Sequence, residues 1–299
     1  MTNSAAKPKP LKLRSMLFVP ADSDRKLAKA TTNAADALIL DLEDSVAETR
    51  KVGARATACA FIAAHAGSIR ASIFVRINPL DSSSAMGDLA AVVVPGLAGI
   101  MLPKANSSAD IVRLGHCLDA LEARAGITPG TVRIIPVATE TAAAMLNMQS
   151  YSSPVPRLAG VTWGAEDLSA AIGAVTNRED DGTYSPLYTL AGSLCLCAAT
   201  AAGVPPLDTL HADFRDAAGL TAACRISRRR GFRGRLAIHP DQSAIINAAY
   251  SPSADDLAHA QRIVDLFAAN PDAGTLSIDG VMIDRPHLTQ ALLTLAEND

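Results

Sequence analysis

ALILDLED (residues 37–44) is an apolar run that stops abruptly in acidic residues. Four other runs share its form: SIFVRIN (72–78), GIMLPK (99–104), VRIIPVATE (132–140) and LAGVTWGAED (158–167). A strand buried on both faces reads as a continuous hydrophobic run, which is the signature of an all-parallel sheet. In parallel α/β architectures ligands bind beyond the carboxyl ends of the strands. Charges placed at those five ends therefore face one shared mouth, and the active site is expected there.

Working outward, RSMLFVP (14–20) reads as a first strand, followed by a helix from about Asp24, and helical patterns at 48–65, 107–125, 141–149 and 168–173 separate the later runs. Thr139 or Thr141 is placed to cap the helix after the fifth strand. The apolar stretch 187–202 reads as a buried helix, VPPLDTL (204–210) as a seventh strand and RGRLAI (233–238) as an eighth. Eight strands alternating with helices predict an α/β fold of the (β/α)8 TIM-barrel type. A doubly wound open sheet is the alternative, but no strand is followed by G-x-G-x-x-G or G-x-x-x-x-G-K-[ST].

The expected organisation is a flexible tail (1–12), a catalytic barrel (13–252) and a C-terminal helical extension (253–299). Within the extension, Leu257, Ala260, Ile263, Val264 and Phe267 recur at helical spacing. A turn at NPDAG (270–274) leads to a hairpin or extended piece and a last helix. A barrel does not need this segment, so it is expected to pack on a neighbouring subunit.

At 299 residues, 49% hydrophobic and only 4% aromatic, the composition suits small aliphatic side chains on parallel strands. A formal charge of −3 gives no global attraction to nucleic acid or an anionic membrane. The longest apolar region, 89–102, is broken by Pro95 and Gly96 and is too short to span a bilayer. The start carries no apolar stretch with a cleavage site, and the five cysteines form no paired framework, so a cytoplasmic protein with cysteines used as buried small hydrophobes is expected.

Glu140 and Asp167 each follow an apolar run and come from neighbouring strands. Two converging carboxylates suit Mg²⁺, which commonly keeps water and substrate in its other positions; Mn²⁺ accepts similar oxygen ligands. Both residues equally fit acids at helix starts, favoured by the helix dipole. Arg76 can bind a carboxylate or an oxyanion at the mouth, or pair with Asp41 or Glu43. The Arg225–Arg235 run reads as a solvated helix end or as an attraction for phosphates. His239 is expected to order the turn after the eighth strand, and Trp163 to pack in the core or wall the pocket.

RSMLFVPADSDRKLAKA (14–30), ADALILDLEDSVAETRKVGARA (35–56), VRINPLDS (75–82), GIMLPKA (99–105), PVATETAAAML (136–146), WGAEDLSAAIG (163–173), DFRDAAGL (213–220), GFRGRLAIHPDQ (231–242) and GVMIDRP (280–286) together resemble the citrate lyase β-subunit-like branch of the HpcH/HpaI aldolase superfamily. The likeness spans nearly the whole chain. It implies a Mg²⁺-dependent barrel, usually trimeric or hexameric, that makes or breaks carbon–carbon bonds in acyl-CoA compounds such as malyl-CoA and citramalyl-CoA. It further implies Glu140 and Asp167 as metal ligands, Arg76 as a substrate contact, Asp284 as a general acid/base supplied by a neighbouring subunit, and Lys29 as a contact to CoA. The chain departs from the family pattern at Ser23, where arginine is expected, with Arg25 as the substitute, and at Gly192, where relatives often carry arginine.

The reading is a lyase that cleaves a carboxylated 3-hydroxyacyl-CoA to acetyl-CoA and a 2-oxo acid. The alternatives are a citrate lyase β subunit acting on a carrier-linked thioester with an acyl-carrier partner, and a barrel that binds CoA or a carrier without turnover.

Overall fold

The computed structural model describes residues 11–297; most of the expected tail, 1–12, lies outside them. The chain divides into two compact units, with the boundary after Asn247.

The first unit is built on eight parallel strands: β1 (Ser15–Pro20), β2 (Ala37–Asp41), β3 (Ser72–Arg76), β4 (Gly99–Leu102), β5 (Arg133–Pro136), β6 (Val161–Thr162), β7 (Pro206–Asp208) and β8 (Gly234–Ala237). Helices α1 (Asp24–Ala30), α2 (Lys51–His65), α3 (Ala85–Val92), α4 (Ser108–Ala125), α5 (Ala142–Leu146), α6 (Ala165–Ile172), α7 (Pro186–Ala201) and α8 (Ala217–Arg230) connect them, and α9 (Gln242–Tyr250) follows β8. The hydrogen-bonded order is β5-β4-β3-β2-β1-β8-β7-β6. Parallel bridges Ile134↔Leu158 and Val137↔Thr162 bring the two ends together, so the sheet is all but closed and the (β/α)8 expectation is met.

The β5–β6 seam is thin for a chemical reason. Ile134 N donates to Arg157 O (2.8 Å) and Ala138 N to Thr162 O (2.9 Å). Residue 136 stands between them on the same side of the strand, and proline has no N–H to give. The long run 158–167 therefore meets β5 through isolated bridges, and its two-residue ladder is to β7, shorter than its hydrophobicity predicts. A clamp reinforces the seam. Arg157, in the left-handed region at φ 66, donates to Glu122 Oε1 (3.0 Å), Glu122 Oε2 (2.6 Å) and Val132 O (2.9 Å). Glu122, with no accessible side-chain surface, also accepts from Val132 N and Gly130 N. Burial pushes its carboxyl up, but Arg157 and the two amides prevail and hold it below the ordinary value.

Inside the barrel, alternate residues stack in layers, and Met16, Ala37, Ile39, Phe74, Met101, Ile135, Leu207 and Leu236 belong to one buried cluster. A period of two along β2 and β3 then continues Ile39 to Asp41 and Phe74 to Arg76, so the charges that end these strands emerge on the same interior side. Each fully buried Leu or Ile is worth roughly 1.5–3 kcal/mol relative to exposure.

The second unit contains α10 (Ala254–Ala269), an antiparallel hairpin of β9 (Thr275–Ile278) and β10 (Val281–Asp284), and α11 (Arg285–Ala296). Ser253 and Asp256 form a reciprocal capping box at the start of α10. Asp279 and Gly280, both at positive φ, make the two-residue turn that Asp-Gly favours. Ala260, Ile263, Phe267, Ile278, Ile283 and Ala291 form its core.

Cys195 and Cys224 are buried, Cys59 and Cys117 are partly so, and Cys197 is exposed, which corrects the expectation that all five are buried. Cys195 and Cys197 lie two apart on α7 and so face different ways. Among the described residues no helix is long and apolar enough to cross a membrane.

Candidate active site

The β2–β3 ladder pairs Asp41 with Arg76 in register. Arg76 donates from Nε to Asp41 Oδ1 (2.7 Å) and from Nη2 to Asp41 Oδ2 (2.6 Å), a bidentate grip, and its guanidinium lies 4.7 Å from the centre of the Phe18 ring. Nη1 is 2.9 Å from Glu43 Oε2, at ion-pair distance but without hydrogen-bond alignment. Burial raises the Asp41 carboxyl, and the Arg76 bonds more than reverse this. Burial dominates at Glu43, whose carboxyl is pushed up despite Arg76 and Lys104. The pairing expected of Arg76 is thus present, and Arg76 still faces the cavity.

The loop after β3 is fixed from behind. Asn78 Nδ2 donates to Leu42 O (3.0 Å) and Asp88 Oδ2 (2.7 Å), while Arg55 Nε donates to Asp88 Oδ1 (2.7 Å). Asp88 and Asn78 are buried, so these bonds replace water that neither side chain can reach.

Glu140 follows β5 by four residues and is only 4% exposed. It is not a helix cap: Thr141 caps α5, its Oγ1 accepting from Ala144 N at 3.0 Å, while Glu140 Oε2 accepts the Lys104 amide at 2.5 Å. Burial, then the charge of Asp167, raises the Glu140 carboxyl to about 8. Asp167 sits in the first turn of α6 rather than on the strand, and its helix is capped by Gly164. A Cβ at Gly164 would lie 2.9 Å from Glu140 Cγ, so the missing side chain is what lets Glu140 occupy its place. Lys104 joins these two acids to a third: its amide binds Glu140, and Nζ lies 2.5 Å from Glu43 and 3.1 Å from Asp167.

A cavity of about 450 Å³ opens at this end, within the range of small-molecule sites. Arg76, Glu140 and Asp167 line it together with Arg25 and Lys29 from α1. Five of the six residues singled out from the sequence thus come together; Asp284 belongs to the second unit, where it ends β10 and precedes α11, with Oδ1 2.5 Å from His287 Nδ1. Ser23 takes the N-cap position of α1, while Arg25 lies on the cavity wall. Trp163 also walls the cavity and donates to Asp208 Oδ1 at 2.8 Å. A Cβ at Gly192 would sit 3.4 Å from the Trp163 ring, so both departures from the family pattern bear on this cavity.

Sequence reasoning passed over Lys26, Lys104, Asn78, Asp88 and His287. Lys104 was visible at the end of GIMLPK and His287 as D-x-x-H at a helix start, but their partners are not local. The arginine run is not part of the site. Its helix α8 ends just before β8 begins, at the face opposite the mouth, which rules out a phosphate role in the cavity, and Arg235 pairs with Asp208 in the barrel wall. His239 lines the cavity and stacks on Phe214 with centroids 4.9 Å apart.

The donor set of the acidic pair is oxygen only, which fits a hard divalent cation that keeps water or substrate in its remaining positions. Among the described residues no group of three or more His, Cys, Asp or Glu forms a metal cage. Residues 14–240 match the HpcH/HpaI aldolase/citrate lyase family. The chain belongs to this family.

Among HpcH/HpaI relatives, a citrate lyase subunit beta-like protein of Mycobacterium tuberculosis is 34% identical over 281 residues, covering 92% of each chain. A (3S)-malyl-CoA thioesterase of Cereibacter sphaeroides is 35% identical over 291 residues, 95% of this chain and 94% of that one. The crystal structure of CitE from M. tuberculosis in complex with magnesium, acetoacetate and coenzyme A superposes with a TM-score of 0.77 at 33% identity, covering 96% of this chain and 98% of that one. The likeness to aldolase/citrate lyase proteins supports lyase-type chemistry as the general class.

Proposed function

We propose that this protein is a Mg²⁺-dependent carbon–carbon lyase that cleaves a carboxylated 3-hydroxyacyl-CoA of the malyl-CoA or citramalyl-CoA type to acetyl-CoA and a 2-oxo acid. The observation that carries this reading is the convergence of Arg25, Lys29, Arg76, Glu140 and Asp167 on one cavity. Magnesium and coenzyme A in the M. tuberculosis CitE complex support the same assignment.

Glu140 and Asp167 would hold the cation, with Mn²⁺ as a chemical equivalent. Bound Mg²⁺ supplies Lewis-acid polarisation and a template for the hydroxy-carboxylate end of the substrate. Arg76, fixed by Asp41, faces the cavity, where it would meet the thioester oxygen. The carbinol hydroxyl gives its proton to solvent water and becomes the carbonyl of the 2-oxo acid; as the bond between the carbinol carbon and the α-carbon breaks, its electron pair passes to the thioester as an enolate, and the guanidinium offsets that charge where it develops. Asp284 from a neighbouring copy then protonates the enolate carbon, and in the synthetic direction removes that proton. Arg25 and Lys29 bind the phosphates of CoA. This scheme requires a homo-oligomer, a trimer or hexamer, in which the 253–299 extension packs on the adjacent subunit; five unpaired cysteines fit a reducing cytoplasm.

The thioesterase relative favours a second reading, hydrolysis of malyl-CoA to malate and free CoA. The citrate lyase-like relative keeps a third in view, action on a thioester attached to an acyl-carrier subunit. One assay separates them. Purified protein is incubated with malyl-CoA and citramalyl-CoA, with Mg²⁺ or with chelator, while glyoxylate, pyruvate, malate and free CoA are followed. Mg²⁺-dependent release of a 2-oxo acid is expected. Malate with free CoA moves the assignment to a thioesterase, and silence with every free thioester moves it to a carrier-linked substrate or a non-catalytic binder.

A further inference from the structure

Lys104 has no role in the scheme above, yet it touches more of the acidic cluster than any other side chain. It is one of three described non-glycine residues at positive φ, at 51°, a backbone conformation that an unbranched L residue rarely adopts. That conformation lets one residue act twice. Its amide donates to Glu140 Oε2, and its ammonium reaches Glu43 (2.5 Å), Asp167 (3.1 Å) and Asp44 (3.7 Å). Arg76 is already committed to Asp41 and Glu43. Among the described residues, Lys104 is the only cation paired with Asp167.

We propose that Lys104 is a positioning residue that serves as the resident counter-ion of Asp167, holding it beside Glu43 until a divalent cation takes Asp167 over. This rests on the reading of Glu140 and Asp167 as cation ligands. The ion pairs of Asp41, Glu43, Asp44 and Asp167 are made by Arg76 and Lys104. A divalent cation on an Asp167 oxygen would stand close to the ammonium, and its double charge repels it more than the single charge of Arg76 does across Glu43. The ammonium is therefore expected to give up Asp167 when the cation binds, while Glu43 keeps it at the site. The amide bond to Glu140 does not depend on side-chain charge and persists in both states.

The test compares wild type with Lys104→Met, which keeps the stem and removes the charge, and Lys104→Arg, which restores it. Mg²⁺ affinity is measured by calorimetry, and melting temperature with and without Mg²⁺. The metal-free Lys104→Met protein is expected to melt several degrees below wild type. It should bind Mg²⁺ severalfold more tightly and gain more in melting temperature from the cation, with Lys104→Arg close to wild type in all three. A Lys104→Met protein that binds Mg²⁺ no more tightly than wild type overturns the proposal. If wild type binds no Mg²⁺, the cation reading itself fails. The metal-free melts then decide on Lys104 alone: a fall confined to Lys104→Met sustains the counter-ion role, and no fall overturns it.

Discussion

Asp41 and Arg76 are register partners at the last rung of the β2–β3 ladder, and the carboxylate grips the guanidinium through two bonds of 2.7 and 2.6 Å. The strand pairing itself aligns the cation of the site. Asp41→Asn keeps the shape but removes the charge and one acceptor. It is expected to lower kcat by roughly 10- to 100-fold with little change in KM if Arg76 acts, as proposed, on charge that develops in the transition state. Steady-state kinetics on malyl-CoA check the split. Arg76→Lys cannot make the bidentate contact and should cost at least as much.

Glu140 gives a pH dependence whose sign is fixed. Its carboxyl is raised to about 8 in the folded chain, first by burial and then by Asp167, from an ordinary 4.5. Ionisation is therefore disfavoured in the metal-free native state, and the contribution of Glu140 to stability declines as pH rises from about 4.5 to about 8. In chelator, wild type should lose melting temperature across that window more steeply than Glu140→Gln, and the two curves should run parallel above it. A Glu140→Gln protein with the wild-type slope would mean that another group controls it.

Gly164 is the cheapest position at which to damage the site without touching a charge. A Cβ there meets Glu140 Cγ at 2.9 Å and Val137 Cγ1 at 3.3 Å, so Gly164→Ala must push Glu140 from its place. Overpacking of this kind costs about 1–3 kcal/mol. The expected result is a modest fall in melting temperature with a disproportionate loss of Mg²⁺ affinity by calorimetry. Unchanged affinity would show that Glu140 is not held where the cation binds.

How far the sequence reads depends on distance along the chain. Continuous runs such as ALILDLED carry the burial of parallel strands within themselves, and the residues that end them are visible at once. Arg76, Glu140 and Asp167 were legible for that reason, as was a barrel made by repeating the pattern. The thin β5–β6 seam is not legible in the run 158–167 itself, because Pro136, which interrupts it, lies on the partner strand. Lys104 was legible as a charge but not as a counter-ion, since its left-handed backbone and its partners at 43, 140 and 167 exist only in the fold. The basic run near 225–235 left a solvated helix end and a phosphate site both open; Arg228, Arg229 and Arg230 form the last turn of α8, at the far face, which decides for the helix end.

The Glu122–Arg157 clamp is a stability feature away from the mouth, and its loss should separate folding from chemistry. Removing one partner of a buried pair leaves the other charge uncompensated, at a cost of about 3–5 kcal/mol. Arg157→Ala is expected to fall in that range by urea denaturation, with KM for thioester unchanged in the fraction that remains folded. A loss below about 1 kcal/mol would show that the β5–β6 seam does not depend on the clamp.

Asp284 offers a test of the assembly as well as of the chemistry. If the acid that protonates the enolate comes from a neighbouring copy, Arg76→Ala and Asp284→Ala proteins should each be nearly inactive alone, because every site lacks one of the two groups. Mixed after reversible dissociation, random hetero-oligomers place an intact Arg76 beside a neighbour's intact Asp284 in about one site in four. Activity should then recover to on the order of a quarter of wild type. Full inactivity of the mixture, with subunit exchange verified by native mass spectrometry, would mean that Asp284 serves the site of its own chain. Activity in Asp284→Ala alone would remove it from the mechanism and leave the protonation step to a group lining the cavity.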